Sequence, residues 1–183
     1  LQTYWQIIRG AFSSLGSISN DLVVWVPLIL ATSGLLITFS AGLWNIGVEG
    51  QITLGAIFTT GVLRLLQDIS FPPLLIILVG ILAGMLGGAI WASLAGALKT
   101  FGVVNEIFGG LGLNFVATAL TLWLIFGPWQ RPGVGSMSGT EPFRETLWLP
   151  QLPGLRISVW SLLLGILAIL VVYFLLRSTY FGL

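Results

Sequence analysis

Residues 69–98 read ISFPPLLIILVGILAGMLGGAIWASLAGAL, thirty positions without a charge, closed by Asp68 on one side and Lys99 on the other. A helix rising about 1.5 Å per residue needs only about 20 residues to cross a hydrocarbon core of roughly 30 Å. Pro72 and Pro73 stand where a helix can start, because missing amide donors do least harm there. Working outward, the same test finds three more gaps between charges. Asp21 to Glu49 encloses 27 uncharged residues, Glu106 to Arg131 encloses 24, and Arg156 to Arg177 encloses 20. Charge is costly in hydrocarbon, so these gaps map membrane spans.

One stretch is less clear. Only 14 residues separate Glu49 from Arg64, about 21 Å as a helix. Either Arg64 snorkels to an interface and the helix crosses, or the segment re-enters. A crossing helix over residues 51–67 is the favoured reading. The expected fold is therefore all-α: a polytopic membrane protein with about five transmembrane helices, at 22–44, 51–67, 72–98, 107–126 and 157–176. Residues 1–21 read as an interfacial lead-in, with Tyr4, Trp5, Ile7, Ile8 and Phe12 at the interface and no signal-peptide pattern. Residues 127–156 form the one long loop, holding five prolines (128, 132, 142, 150 and 153) and an amphipathic piece at Glu141–Leu149. Trp25, Trp44, Trp123, Trp129, Trp148 and Trp160 fall near span ends, as an aromatic belt requires.

Composition agrees. Of 183 residues, 56% are hydrophobic and 7% charged, against about 25% charged in a soluble domain, so a water-soluble monomer is excluded. The net charge of +1 gives no electrostatic reason to expect nucleic acid. With neither Cys nor His, disulfides, thiolate metal sites, cysteine nucleophiles and imidazole bases are excluded. The six scattered carboxylates form no metal-ligand cluster.

Two local patterns stand out. Gly80, Gly84, Gly88, Ala92 and Gly96 recur at every fourth position, which predicts a groove for close helix packing against this chain or another. Gly109, Gly110 and Gly112 similarly thin the start of the span at 107–126. The second pattern is polar. Trp44-Asn45-Ile46-Gly47-Val48-Glu49-Gly50-Gln51 joins two apolar segments through a glycine-broken turn. Irregular backbone at membrane depth is tolerated only against protein or a water-filled cavity. Its carboxylate and two amides would bind a polar solute or hold the fold together, or the segment is an ordinary interfacial turn with a solvated Glu49. A second knot, Lys99 to Glu106, allows a Lys99–Glu106 pair or two solvated charges. Asn105, Glu106 and Asn114 are the weaker site candidates, and a lone amide such as Asn114 more often bonds a neighbouring helix.

The run Gly42-Leu43-Trp44-Asn45-Ile46-Gly47-Val48-Glu49-Gly50-Gln51, followed by Leu54-Gly55-Ala56, resembles a signature of permease subunits of bacterial ABC importers. The group is the branched-chain amino acid, simple-sugar and nucleoside one, and the form here is most like its nucleoside (guanosine-type) and general simple-sugar branch. Pro27-Leu28-Ile29-Leu30, Leu98-Lys99, Phe101 to Ile107, Asn114-Phe115, Phe126 to Trp129 and Arg177 to Leu183 support it in the right order. Two departures occur. Val103-Val104 stands where one valine usually precedes Asn-Glu, and Phe108-Gly109-Gly110 replaces more polar residues.

The resemblance implies a translocation path for a small polar solute, most readily nucleosides, with ribose-like sugars or branched-chain amino acids as alternatives. It implies an interior fragment of a permease in the bacterial cytoplasmic (inner) membrane. The implied partners are ABC ATPase subunits, a second permease subunit (identical or related), an extracytoplasmic substrate-binding lipoprotein and the lipid bilayer. No cofactor is expected on this chain; ATP and Mg would sit on the ATPase subunits, since no Gly-x-x-x-x-Gly-Lys-Ser/Thr loop is present. On this reading the chain is not an enzyme. Trp44, Asn45, Gly47, Glu49, Gly50 and Gln51 become path-lining or structural residues, with Trp44 offering an aromatic face to a base. The implied orientation puts residues 1–20 and 127–156 outside, whereas counting Lys and Arg alone favours the reverse. The rival from another class is a secondary transporter or channel using Glu49 or Glu106 as a coupling carboxylate.

Overall fold

The computed structural model describes residues 2–133 and 139–179, and these are overwhelmingly helical. In chain order they form α1 (Gln2–Ala11), α2 (Leu15–Ser40), α3 (Val48–Leu66), α4 (Pro73–Thr100), α5 (Glu106–Phe126), a 3₁₀ turn at Glu145–Leu147, and α6 (Val159–Ser178). Among the described residues, β-pairing is limited to two isolated bridges, Gln130 with Thr140 and Gln151 with Ser158. Four helices, α2, α4, α5 and α6, are long and apolar enough to cross a membrane. Their large apolar side chains mostly point outward: Leu82, Phe115 and Phe174 are exposed. In water that would be ruinous, and in lipid it is the ordinary solvation of a span.

Helix ends follow local chemistry. α2 starts seven residues before the apolar run, because the Ser14 hydroxyl accepts the Ser17 amide at 3.1 Å and caps it there. Much of the expected lead-in is thus helix, divided into amphipathic α1 and the first turns of α2. α2 ends in a Schellman-type turn: the Leu43 amide reaches the Thr38 carbonyl at 2.9 Å, and Gly42 takes φ +73°. α4 begins at Pro73, as the proline pair requires. The amphipathic piece expected at Glu141–Leu149 is no longer helix than the single 3₁₀ turn.

The chain divides into two compact units. The first comprises Leu1–Leu43 with Leu149–Leu183 and is built on the α2–α6 pair, with α1 against α2. Gly165 of α6 lets Val26 and Ile29 of α2 approach, and the buried Ser19 hydroxyl accepts the Arg156 amide at 2.5 Å. Tyr180 to Leu183, the close of the quoted motif, lie outside the described residues, as does Leu1 of the lead-in.

The second unit, Trp44–Trp148, packs α3 against both α4 and α5. α3 is one unbroken helix of 19 residues, about 28 Å long. It is not one of the four helices apolar enough to cross by composition and is more polar than they are, carrying Glu49, Gln51, Thr53, Thr59, Thr60 and Arg64. The glycine stripe of α4 meets it in part. A Cβ on Gly80 would stand 3.0 Å from Leu63, and one on Gly88 would stand 3.4 Å from the Gln51 carbonyl. One on Gly84 would strike the Thr59 hydroxyl, which donates to the Gly80 carbonyl at 3.0 Å. Gly96 has nothing within 4 Å, and Ala92 is exposed. The reason is helical geometry: steps of four overshoot a 3.6-residue turn by about 40°, so Gly96 lies about 160° around from Gly80. Gly87, outside the stripe, is only about 20° away, and its Cβ would come within 2.8 Å of the Leu54 carbonyl.

Candidate functional site

The polar residues of the second unit converge at the N-terminal ends of α3 and α5. An α-helix leaves its first amides without intrahelical partners. α3 has Gly47 at its cap position, with no side chain to help. The missing acceptor comes from α5 instead. Asn114 Oδ1 accepts the Gly50 amide at 2.8 Å, and its Nδ2 donates to the Ile46 carbonyl at 3.1 Å. One carboxamide thereby staples α5 across the turn that starts α3. Four residues earlier on α5, Gly110 lies against the same turn; a Cβ there would come 2.8 Å from the Gly47 nitrogen. This close approach explains glycine at both positions.

Asn45 and Gln51 form a reciprocal amide pair. Asn45 Nδ2 donates to Gln51 Oε1 at 3.1 Å, and Gln51 Nε2 donates to Asn45 Oδ1 at 3.0 Å. Glu106 gathers three segments: its carboxylate accepts the Trp44 amide at 3.0 Å and pairs with Lys99 at the end of α4. Asn105 caps α5 by accepting the Ile107 amide at 2.9 Å. Between Lys99 and Glu106 the chain turns tightly, with the Val104 amide on the Leu98 carbonyl at 3.1 Å. Val103, the extra valine of that turn, stands outside at 90% exposure with φ +53°, a conformation costly for a β-branched residue.

Asn45, Gln51, Asn105, Glu106, Asn114 and the glycines at 47 and 50 thus meet as one latch whose polar atoms bond each other and backbone. Glu49 and the Trp44 side chain are exposed at its edge. Sequence reasoning missed Trp91 of α4, whose buried Nε1 faces Gly50: a Cβ on Gly50 would stand 2.7 Å from it. It also missed Gly55, whose Cβ would meet the Gly84 carbonyl at 3.0 Å. A tryptophan twenty residues into an apolar run gives no signal of its own. The facing glycine at 50 is legible only once α3 and α4 are paired. Among the described residues no group of three or more potential ligands could hold a metal ion. In the first unit, a mostly apolar groove of about 410 Å³ runs between α2 and α6, lined by Ser33, Leu36, Val172 and Tyr173.

The four long apolar helices, with a polar cluster binding the ends of α3, α4 and α5, define a polytopic helical membrane protein. Residues 17–183 match the family described as branched-chain amino acid transport system / permease component, and the chain belongs to that family. It is 36% identical over 155 residues to a glucose ABC transporter permease protein of Haloferax volcanii, covering 85% of this chain and 40% of that protein. A nucleoside ABC transporter permease protein of Lactococcus lactis subsp. cremoris is 25% identical over 187 residues, covering 98% of this chain and 50% of the relative. A guanosine ABC transporter permease protein of Bacillus subtilis is 25% identical over 122 residues, covering 67% and 34%. The chain therefore spans between a third and a half of these relatives. No solved structure matches it significantly. Family and spans together make it a multi-pass protein of the cytoplasmic (inner) membrane.

Proposed function

We propose that this chain is a transmembrane permease subunit of an ATP-driven ABC importer, supplying part of the translocation path for a small hydroxyl-rich solute, foremost a nucleoside. The family match over residues 17–183 carries this reading. ATP and Mg bind separate ATPase subunits, which drive alternating access. A second permease subunit and an extracytoplasmic binding lipoprotein complete the importer, and the connection after α5 faces that lipoprotein. In the path, the latch of Asn45, Gln51, Glu106 and Asn114 fixes the ends of α3 and α5, while the exposed side chains of Glu49 and Trp44 offer a carboxylate and an aromatic face to solute. The commitment of Glu106 to Lys99 and to the Trp44 amide argues against that carboxylate as the coupling site of a secondary transporter.

A simple sugar is the second reading, supported by the 36% identical glucose permease relative. Uptake of labelled guanosine, uridine and glucose by cells carrying the complete transporter, with and without this subunit, tests both. Subunit-dependent nucleoside uptake that excess glucose, ribose and leucine fail to inhibit is the expected result. Subunit-dependent glucose uptake without nucleoside uptake moves the solute to the sugar branch. Uptake of every solute independent of the subunit overturns the proposal.

A further inference from the structure

Arg64 sits in the last turn of α3, and its surroundings are unlike those of a snorkelling cation. Its guanidinium carbon lies 5.5 Å from the ring centre of Trp129 and 5.6 Å from that of Phe143. One terminal nitrogen donates to the Glu141 carbonyl at 3.0 Å. The Nε is buried without a hydrogen-bond partner, and among the described residues no carboxylate pairs with Arg64. The nearby Asp68 is engaged by Arg144 at 2.5 Å. The charge is therefore met by two ring faces and a carbonyl, and all three belong to the connection after α5. Cation–π contacts of this kind strengthen when water is excluded.

The connection is shaped to deliver those groups. The Trp129 amide bonds the Leu124 carbonyl at 2.8 Å, which turns the chain back over α3, and the Trp129 ring also covers Gly61. The bridge between Gln130 and Thr140 brings Glu141 and Phe143 beside Trp129. Trp148 Nε1 donates to the Phe143 carbonyl at 3.1 Å, and Leu147 is buried where the 3₁₀ turn meets α4. The outer surface so presented carries exposed Trp148, Glu141 and Glu145. Asp68–Arg144 lies in the open, both side chains more than half exposed, where an ion pair contributes little. Among the described residues, Arg64 is a side chain of α3 that touches both arms of the connection at once, which the Gln130–Thr140 bridge also joins.

We infer that Arg64 is a positioning residue: by clamping Trp129, Phe143 and the Glu141 carbonyl it holds the connection after α5 in the shape that the solute-loaded binding protein reads. This rests on the proposed function, which takes that connection to face the binding protein. It goes further in assigning to α3, a path helix, control of the docking surface.

The test uses the complete importer in proteoliposomes, titrated with its own binding protein loaded with guanosine or glucose, whichever the wild type transports. Arg64→Gln and Trp129→Leu should each raise the half-saturating binding-protein concentration about tenfold, equivalent to about 1.4 kcal/mol. Maximal rate should stay within about twofold, and the double variant should be little worse than either single one, since both remove one interaction. Should Arg64→Gln fail to insert, Arg64→Lys keeps the charge without the planar stack and should show a smaller shift of the same kind. A fallen maximal rate at unchanged half-saturation, multiplying effects, or no change overturns the assignment. These 183 residues hold no cysteine, so Thr140→Cys, in an importer with any cysteines elsewhere replaced, supplies a thiol probe that needs no binding protein. Its labelling should speed up about tenfold with Arg64→Gln, the same energy read as opening of the connection, and an unchanged rate also overturns the clamp. A wild-type importer indifferent to any binding protein would defeat the proposed function and the docking role with it. The labelling comparison would still decide whether Arg64 holds the connection.

Discussion

Replacing Asn114 by Leu removes both ends of the staple while keeping an apolar body of similar size. The Gly50 amide loses its acceptor at 2.8 Å and the Ile46 carbonyl its donor at 3.1 Å. Side-chain bonds within membranes average about 0.6 kcal/mol each by double-mutant cycles, so two contribute about 1.2 kcal/mol. Gly50 is buried, and an orphaned buried amide costs about 1–3 kcal/mol by itself. The expected loss is therefore roughly 1–3 kcal/mol. At about 2–4 °C per kcal/mol for a chain of this size, thermal unfolding in detergent, followed by size-exclusion recovery, should shift down by several degrees. Gly112→Ala is the control on the same helix, since a Cβ there meets nothing within 4 Å. If Asn114→Leu behaves like that control, the staple holds nothing and the latch is wrong.

Four other outcomes follow from the same geometry. Gly84→Leu should cost about 1–3 kcal/mol by forcing α3 and α4 apart, while Gly96→Leu, with open space around it, should stay within about 0.5 kcal/mol; the same thermal assay separates them. Val103→Gly should stabilise by about 0.5–1 kcal/mol, since it relieves a left-handed φ at a 90% exposed site and loses no burial. A Lys99→Ala/Glu106→Gln double-mutant cycle should give a weak coupling that fades with added salt, because the two side chains remain 42% and 21% exposed. Glu49→Gln in the complete subunit should insert and melt like wild type yet transport less; unchanged uptake would reduce Glu49 to a solvated turn residue.

The spans were legible because charge exclusion acts on single residues: each gap between charges became one helix, with ends displaced where a cap such as Ser14 or a proline such as Pro73 intervened. The polar knots were legible as knots, since glycines and amides set between apolar runs must break the helix and find polar partners. Their wiring was not. Asn114 reaches Gly50 across 64 positions, and nothing in either neighbourhood names the other. Within this chain the four-residue stripe meets α3 only as far as Gly88, because an α-helix drifts past it, and Gly87 and Gly55 became visible only when α3 and α4 were paired. From the sequence Arg64 offers two readings, a snorkelling cation or part of a re-entrant segment; its aromatic clamp lies 65 and 79 residues further along and belongs to tertiary structure alone.

The central claim is that this chain serves an ATP-driven import path, and the most direct measurement sets ATP against ion gradients. Uptake of labelled guanosine or glucose would be followed in vesicles bearing the complete transporter, with internal ATP maintained and the proton and sodium gradients dissipated. The account predicts uptake that persists without gradients, stops when ATP is removed, and is absent without this subunit. Uptake that collapses with the gradients while ATP remains would contradict it and assign the path to a secondary transporter.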